Sequence, residues 1–138
     1  MKKKSNYQEL SKEELIKLLL KKENDFNKLK EMIGKEVTVY VDRPLGSKHP
    51  KHDDIIYNVN YGYIKDYIAL DGEYQDAYIL GIDKPLKKFK GVVYCIINRI
   101  NDIEDKLIVV DKNISFSNDE IEKNIAFQEK FFKHKIIK

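Results

Sequence analysis

Three carboxylates fall within six residues at Asp71-Gly72-Glu73-Tyr74-Gln75-Asp76. Carboxylate oxygens are hard donors suited to hard cations, and Gly72 lets the backbone bend so that they can converge. On spacing alone, a solvated acidic turn is the commoner meaning of such a run. Upstream, in Tyr57-Asn58-Val59-Asn60-Tyr61-Gly62-Tyr63, the alternation of an extended chain puts Tyr57, Tyr61 and Tyr63 on one face. Three phenols there could hydrogen-bond an oxyanion or simply pack. Downstream, Asp102-Ile103-Glu104-Asp105-Lys106 supplies three more acids and a lysine at the head of a strand, and the loop 44–54 brings Lys48, Lys51, Asp53 and Asp54.

Other chemistries lack their anchors. His49, His52 and His134 have neither helical spacing nor cysteine partners for a zinc site, so packing or solvated roles are expected of them. No G-x-x-x-x-G-K-[ST], G-x-G-x-x-G or G-x-S-x-G occurs. Cys95 is the one cysteine; it lies in an apolar run and suits a reducing, cytoplasmic compartment.

The elements that must position these residues can be read from periodicity. Ser11 and Glu14 form a capping box ahead of Leu15, Leu19, Phe26, Leu29 and Ile33 at helical spacing, and Gly34 suits a C-terminal cap, which predicts an amphipathic helix over 12–33. From Glu36 the pattern alternates through Val37, Val39 and Val41, the mark of a half-buried strand. Further strands are predicted at 55–59, 77–81, 91–97 and 106–110, and a second capping box, Ser117 with Glu120, starts a helix over 118–133. Successive short strands imply a small antiparallel barrel or sandwich.

The chain has 138 residues, the length of one domain with one modest core. Its net charge of +3 comes from residues 1–35, where ten lysines oppose six acids; the rest holds sixteen basic and seventeen acidic residues. With arginine only at 43 and 99, a base-reading surface is not expected, and no nucleic-acid partner is predicted. The longest apolar run, 92–97, falls short of a membrane span, and the Met1-Lys2-Lys3-Lys4 start has no apolar stretch after it, so neither a membrane nor an export route is expected.

Together these segments resemble the soluble family I inorganic pyrophosphatases. The resemblance lies in Asn60-Tyr61-Gly62-Tyr63-Ile64, then Asp71-Gly72-Glu73-x-x-Asp76, then Glu104-Asp105-Lys106-Leu107, in the family's order and spacing, and covers about residues 37–133. It implies an α+β fold: a five-stranded OB-like barrel with a packed C-terminal helix, forming a domain over 35–138, with the N-terminal helix of 1–34 as an addition dispensable for chemistry. It implies magnesium-dependent hydrolysis of pyrophosphate, with a hydrolase of another phosphoanhydride or nucleotide, or a catalytically inactive phosphate- or nucleotide-binding module, as alternatives. Homo-oligomers are common in the family. Asp71, Asp76 and Asp102 would bind Mg2+, with Asn101 or Glu104 as substitutes for Asp102; Glu73 would help deprotonate the attacking water; Lys51, Tyr61 and Lys106 would hold phosphate oxygens, with Tyr57 beside them. In the preferred register Asp42 and Asp53 stand where the family has glutamates and Arg43 points away; a rival register makes Arg43 the phosphate fork. Glu73 replaces an aspartate, and the family's terminal Y-K pair becomes Phe132-Lys133, with Lys133 expected at the substrate and Asp42, Asp53 and Glu104 expected in the metal set.

Overall fold

The computed structural model describes residues 10–138; the lysine-rich start lies outside the described residues. Helix α1 spans Lys12–Met32, and the Ser11–Glu14 capping box closes in both directions. The strands are β1 (Glu36–Arg43), β2 (Asn60–Ile68), β3 (Tyr74–Ile79), β4 (Lys88–Arg99) and β5 (Lys106–Val110), followed by α2 (Asn118–Glu129) and β6 (His134–Ile137). The order β1-β2-β3-β5-β4, closed by a β1–β4 pairing, is a five-stranded mixed barrel. Only β3 and β5 run parallel, with Ala77 opposite Leu107. β4 closes the barrel by pairing with β5 on one edge and, over residues 88–92, with β1 on the other, and its length leaves residues 96–99 of that second edge to β6.

Alternation along the strands creates two cores. Val37, Val39, Ile64, Ala77, Ile79, Val93, Leu107 and Val109 fill the barrel, and Leu29 of α1 joins them fully buried. The N-terminal helix therefore seals one opening of the barrel. The opposite side chains of the same strands, Tyr61, Tyr78, Ile108, Val110 and Cys95, form a second core with Ile121 and Ile125 of α2. Burial pushes the Cys95 thiol up to about 12. Two expected elements differ. Residues 55–59 make only an isolated bridge, Lys48 to Ile56, because the loop 44–57 folds on itself: the Gly46 amide donates to the Tyr57 carbonyl at 2.7 Å and the Tyr57 amide to the Ser47 carbonyl at 2.9 Å. The second helix stops at Glu129 rather than 133, since the next residues turn into β6.

No helix among the described residues is long and apolar enough to cross a membrane.

Candidate functional site

The motif of residues 60–64 shows how one strand builds both scaffold and site. The buried Asn60 side chain accepts from the amides of Leu45 and Leu86 and donates to the Lys84 carbonyl, tying two loops to the start of β2. Gly62 lies under β1 so closely that a Cβ there would collide with the Tyr40 carbonyl oxygen. Ile64 enters the barrel core. Tyr61 and Tyr63, on the outer face, line a pocket of about 690 Å³. The pocket opens where the apolar cover of α2 ends: one step along each strand, Tyr78 gives way to Asp76 and Ile108 to Lys106.

Parallel pairing of β3 with β5 sets Asp76 beside Lys106, whose Nζ donates to Asp76 Oδ2 at 2.7 Å and to Glu104 Oε1 at 3.2 Å. Burial alone would lower the Lys106 pKa, but Asp76 and Glu104 reverse this and lift it above its ordinary value, so the ammonium stays charged. Burial and the neighbouring Asp76 carboxylate push the Tyr61 phenol well above its ordinary range. It stays a neutral hydrogen-bonding group. Asp71 and Glu73 reach the rim through a turn in which Gly72 has φ +87° and the Glu73 amide donates to Asp71 Oδ1 at 3.0 Å.

Beneath the pocket runs a continuous chain of hydrogen bonds. Arg43 Nη1 donates to Tyr57 Oη at 2.7 Å, and Tyr57 donates to Gln128 Oε1 at 2.9 Å. Gln128 Nε2 donates to Tyr78 Oη at 2.7 Å, and Tyr78 donates to Glu129 Oε2 at 2.6 Å. Arg99 closes the chain, donating through Nε and Nη2 to the two Glu129 oxygens at 3.0 and 2.6 Å. Its Nη1 donates to Asp102 at 3.2 Å, and the Phe132 ring covers the guanidinium at 3.7 Å from centroid to Cζ. Burial would raise the Glu129 carboxyl, yet Arg99 holds it below the ordinary glutamate range.

Of the sequence-predicted site residues, the pocket lining brings together Asp42, Lys51, Tyr61, Asp71, Glu73, Asp76, Glu104 and Lys106. Tyr57 is fully buried below it, engaged by Arg43 and Gln128. Asp102 is buried against Arg99, and Lys133 and Asp53 are exposed and off the lining, where Asp54 takes the loop position. Arg43 does not point away: a bulge between Val41 and Arg43 breaks the alternation of β1, and Asp42 and Arg43 both line the pocket. Lys51 lines it too. Sequence reasoning missed Arg99, Gln128, Glu129 and His49. Gln128 and Glu129 fall on the buried stripe of α2 set by Ile121 and Ile125, and polar residues in an apolar stripe are a legible sign of a buried cation elsewhere. His49 stacks on Tyr57 with ring centroids 6.1 Å apart; burial and the nearby Arg43, His52 and Lys51 lower its pKa.

The lining carries six carboxylates, Asp42, Asp54, Asp71, Glu73, Asp76 and Glu104, against four cations, Arg43, Lys51, Arg99 and Lys106. A polyanion entering this field needs added positive charge. The carboxylate oxygens fit a hard cation. Among the described residues, no three Asp, Glu, His or Cys side chains converge tightly enough to form a metal cage by themselves.

No protein-family model and no curated protein matches the chain. Solved structures do. An inorganic pyrophosphatase from Ehrlichia chaffeensis superposes with a TM-score of 0.57 at 14% identity, over 75% of this chain and 85% of that one. One from Coxiella burnetii gives 0.56 at 14%, over 75% and 84%, and one from Neisseria gonorrhoeae 0.52 at 18%, over 68% and 72%. At such identities the likeness is one of fold: the α+β, OB-like barrel expected from the sequence is the architecture seen in inorganic pyrophosphatases.

Proposed function

We propose that this chain hydrolyses inorganic pyrophosphate in the presence of Mg2+, with residues 35–138 carrying the chemistry and 1–34 as an accessory element. The observation that carries this reading is the divided pocket: a floor of buried cations and a neutral phenol facing a rim of carboxylates. Asp71 and Asp76 would hold the magnesium, which when bound neutralises phosphate oxygens and acidifies a coordinated water. Arg43, Lys51 and Lys106 supply charge-assisted hydrogen bonds to phosphate oxygens. Tyr61, protonated at neutral pH, donates a further one without adding charge. Glu73 accepts the proton of the attacking water; it is exposed at the rim and can pass that proton to solvent. Arg43 is held in orientation by Tyr57 and, through Gln128, by the α2 network.

Phosphate release from magnesium pyrophosphate, followed colorimetrically, tests the proposal. Turnover that is lost in Glu73→Ala is expected; no release above that variant overturns it. A second reading, a phosphate-binding module without turnover, is favoured by one feature: Asp76 and Glu104 are already ion-paired with Lys106. It predicts thermal stabilisation by pyrophosphate with no phosphate released.

A further inference from the structure

The rim of the pocket carries aromatic rings for which two phosphoryl groups have no use. Tyr63 and Tyr74 both line it and stack with ring centroids 5.5 Å apart and planes 9° from parallel. Tyr40 backs Tyr63 at 6.0 Å, and the Lys65 ammonium lies over Tyr40 at 4.4 Å, so the ladder is braced from behind. Tyr74 is its last ring and is 45% exposed. The ladder stands on the same strand faces as the cationic floor: Tyr63 is two residues from Tyr61, and Tyr74 two residues from Asp76, so each lies on its neighbour's side of the sheet. The cavity volume of about 690 Å³ falls in the range that takes a drug-sized ligand and far exceeds what pyrophosphate fills.

From these three features, a braced planar stack at the mouth, a phosphate-type floor and surplus volume, we infer that the pocket accepts a nucleoside polyphosphate. The base stacks on the Tyr63–Tyr74 ladder while the phosphates reach Arg43 and Lys106. Stacking needs only the π-face of the base, so purines are favoured by their larger face and no particular base is selected. The inference rests on the phosphate-site reading above and adds the organic part of the ligand.

Calorimetric titration of the full chain with pyrophosphate, ADP and CDP, each with magnesium and in a Glu73→Gln background so that no ligand is turned over, tests it, alongside the same chain with Tyr74→Ala or Tyr74→Phe added. ADP is expected to bind more tightly than CDP. Tyr74→Ala is expected to weaken ADP about tenfold more than it weakens pyrophosphate, and Tyr74→Phe to restore ADP binding, because stacking needs the ring and not the hydroxyl. Pyrophosphate binding with equal losses for both ligands on adding Tyr74→Ala, or with no ADP binding by the chain that keeps Tyr74, overturns the nucleotide inference and leaves the phosphate site standing. Failure of all three ligands to bind overturns both.

Discussion

Two acidic segments of similar composition, 71–76 and 102–106, meet opposite fates. The first caps the turn between β2 and β3, where Glu73 is exposed and Asp71 and Asp76 are half-buried. The second leads into β5, which lies between β3 and β4, and Asp102, Glu104, Asp105 and Lys106 are all buried. Burial there is tolerable because each acid meets a cation: Asp102 meets Arg99 at 3.2 Å, Glu104 meets Lys106 at 3.2 Å and Asp105 meets Lys22 of α1 at 3.6 Å. A run of acids becomes scaffold where the fold buries it against counter-ions and faces the pocket where it stays at the surface. Asp76 stands between the two regimes, paired with buried Lys106 while facing the pocket.

That contrast can be broken most severely at Arg99. Arg99→Ala strands Glu129 and Asp102 as buried charges and is expected to cost about 3–5 kcal/mol of stability in urea unfolding. Replacing Arg99 and Glu129 together by methionine should cost less than Arg99→Ala, because only Asp102 is then left as a buried charge without its cation. The next effect is on affinity. Arg43→Ala and Lys51→Ala are each expected to weaken pyrophosphate binding, Arg43→Ala by about 1.5–3 kcal/mol for a lost charge-assisted hydrogen bond, read by titration.

Acid sharpens the contrast further. The Glu129 carboxyl is depressed in the folded state, so its contribution is present above the pKa of an unfolded glutamate and is lost as pH falls through the lower folded value. Melting temperatures taken from pH 7 down to pH 3 should fall less steeply in Glu129→Gln than in the wild type. Smallest of all, Glu73→Gln at the rim is expected to leave stability within about 0.5 kcal/mol while abolishing phosphate release. A large loss of stability would place Glu73 with the buried segment instead.

Much of this arrangement is legible in the residues. The two capping boxes, the alternation of 37–41 and the apolar β5 fix elements by local physics, and the motif of 60–64 fixes the strand beneath the pocket. What local patterns do not contain is register. A one-residue bulge in β1 turns Arg43 toward the pocket, and no composition or period signals it. Asp102 reads like a metal ligand until Arg99, three residues earlier, is seen to claim it. Tyr57 shares the alternation of Tyr61 but lies in a loop folded back on itself, so its hydroxyl serves α2 and Arg43 below the pocket. β6 escapes notice because four residues carry too little pattern to stand out from the end of a helix.

The sealed position of Cys95 gives the chain a built-in clock. A thiol reagent attacks the thiolate, and the closed fold denies it both access and ionisation. Since no other sulfhydryl competes for the reagent, the rate of labelling reports how often the core beneath α2 opens.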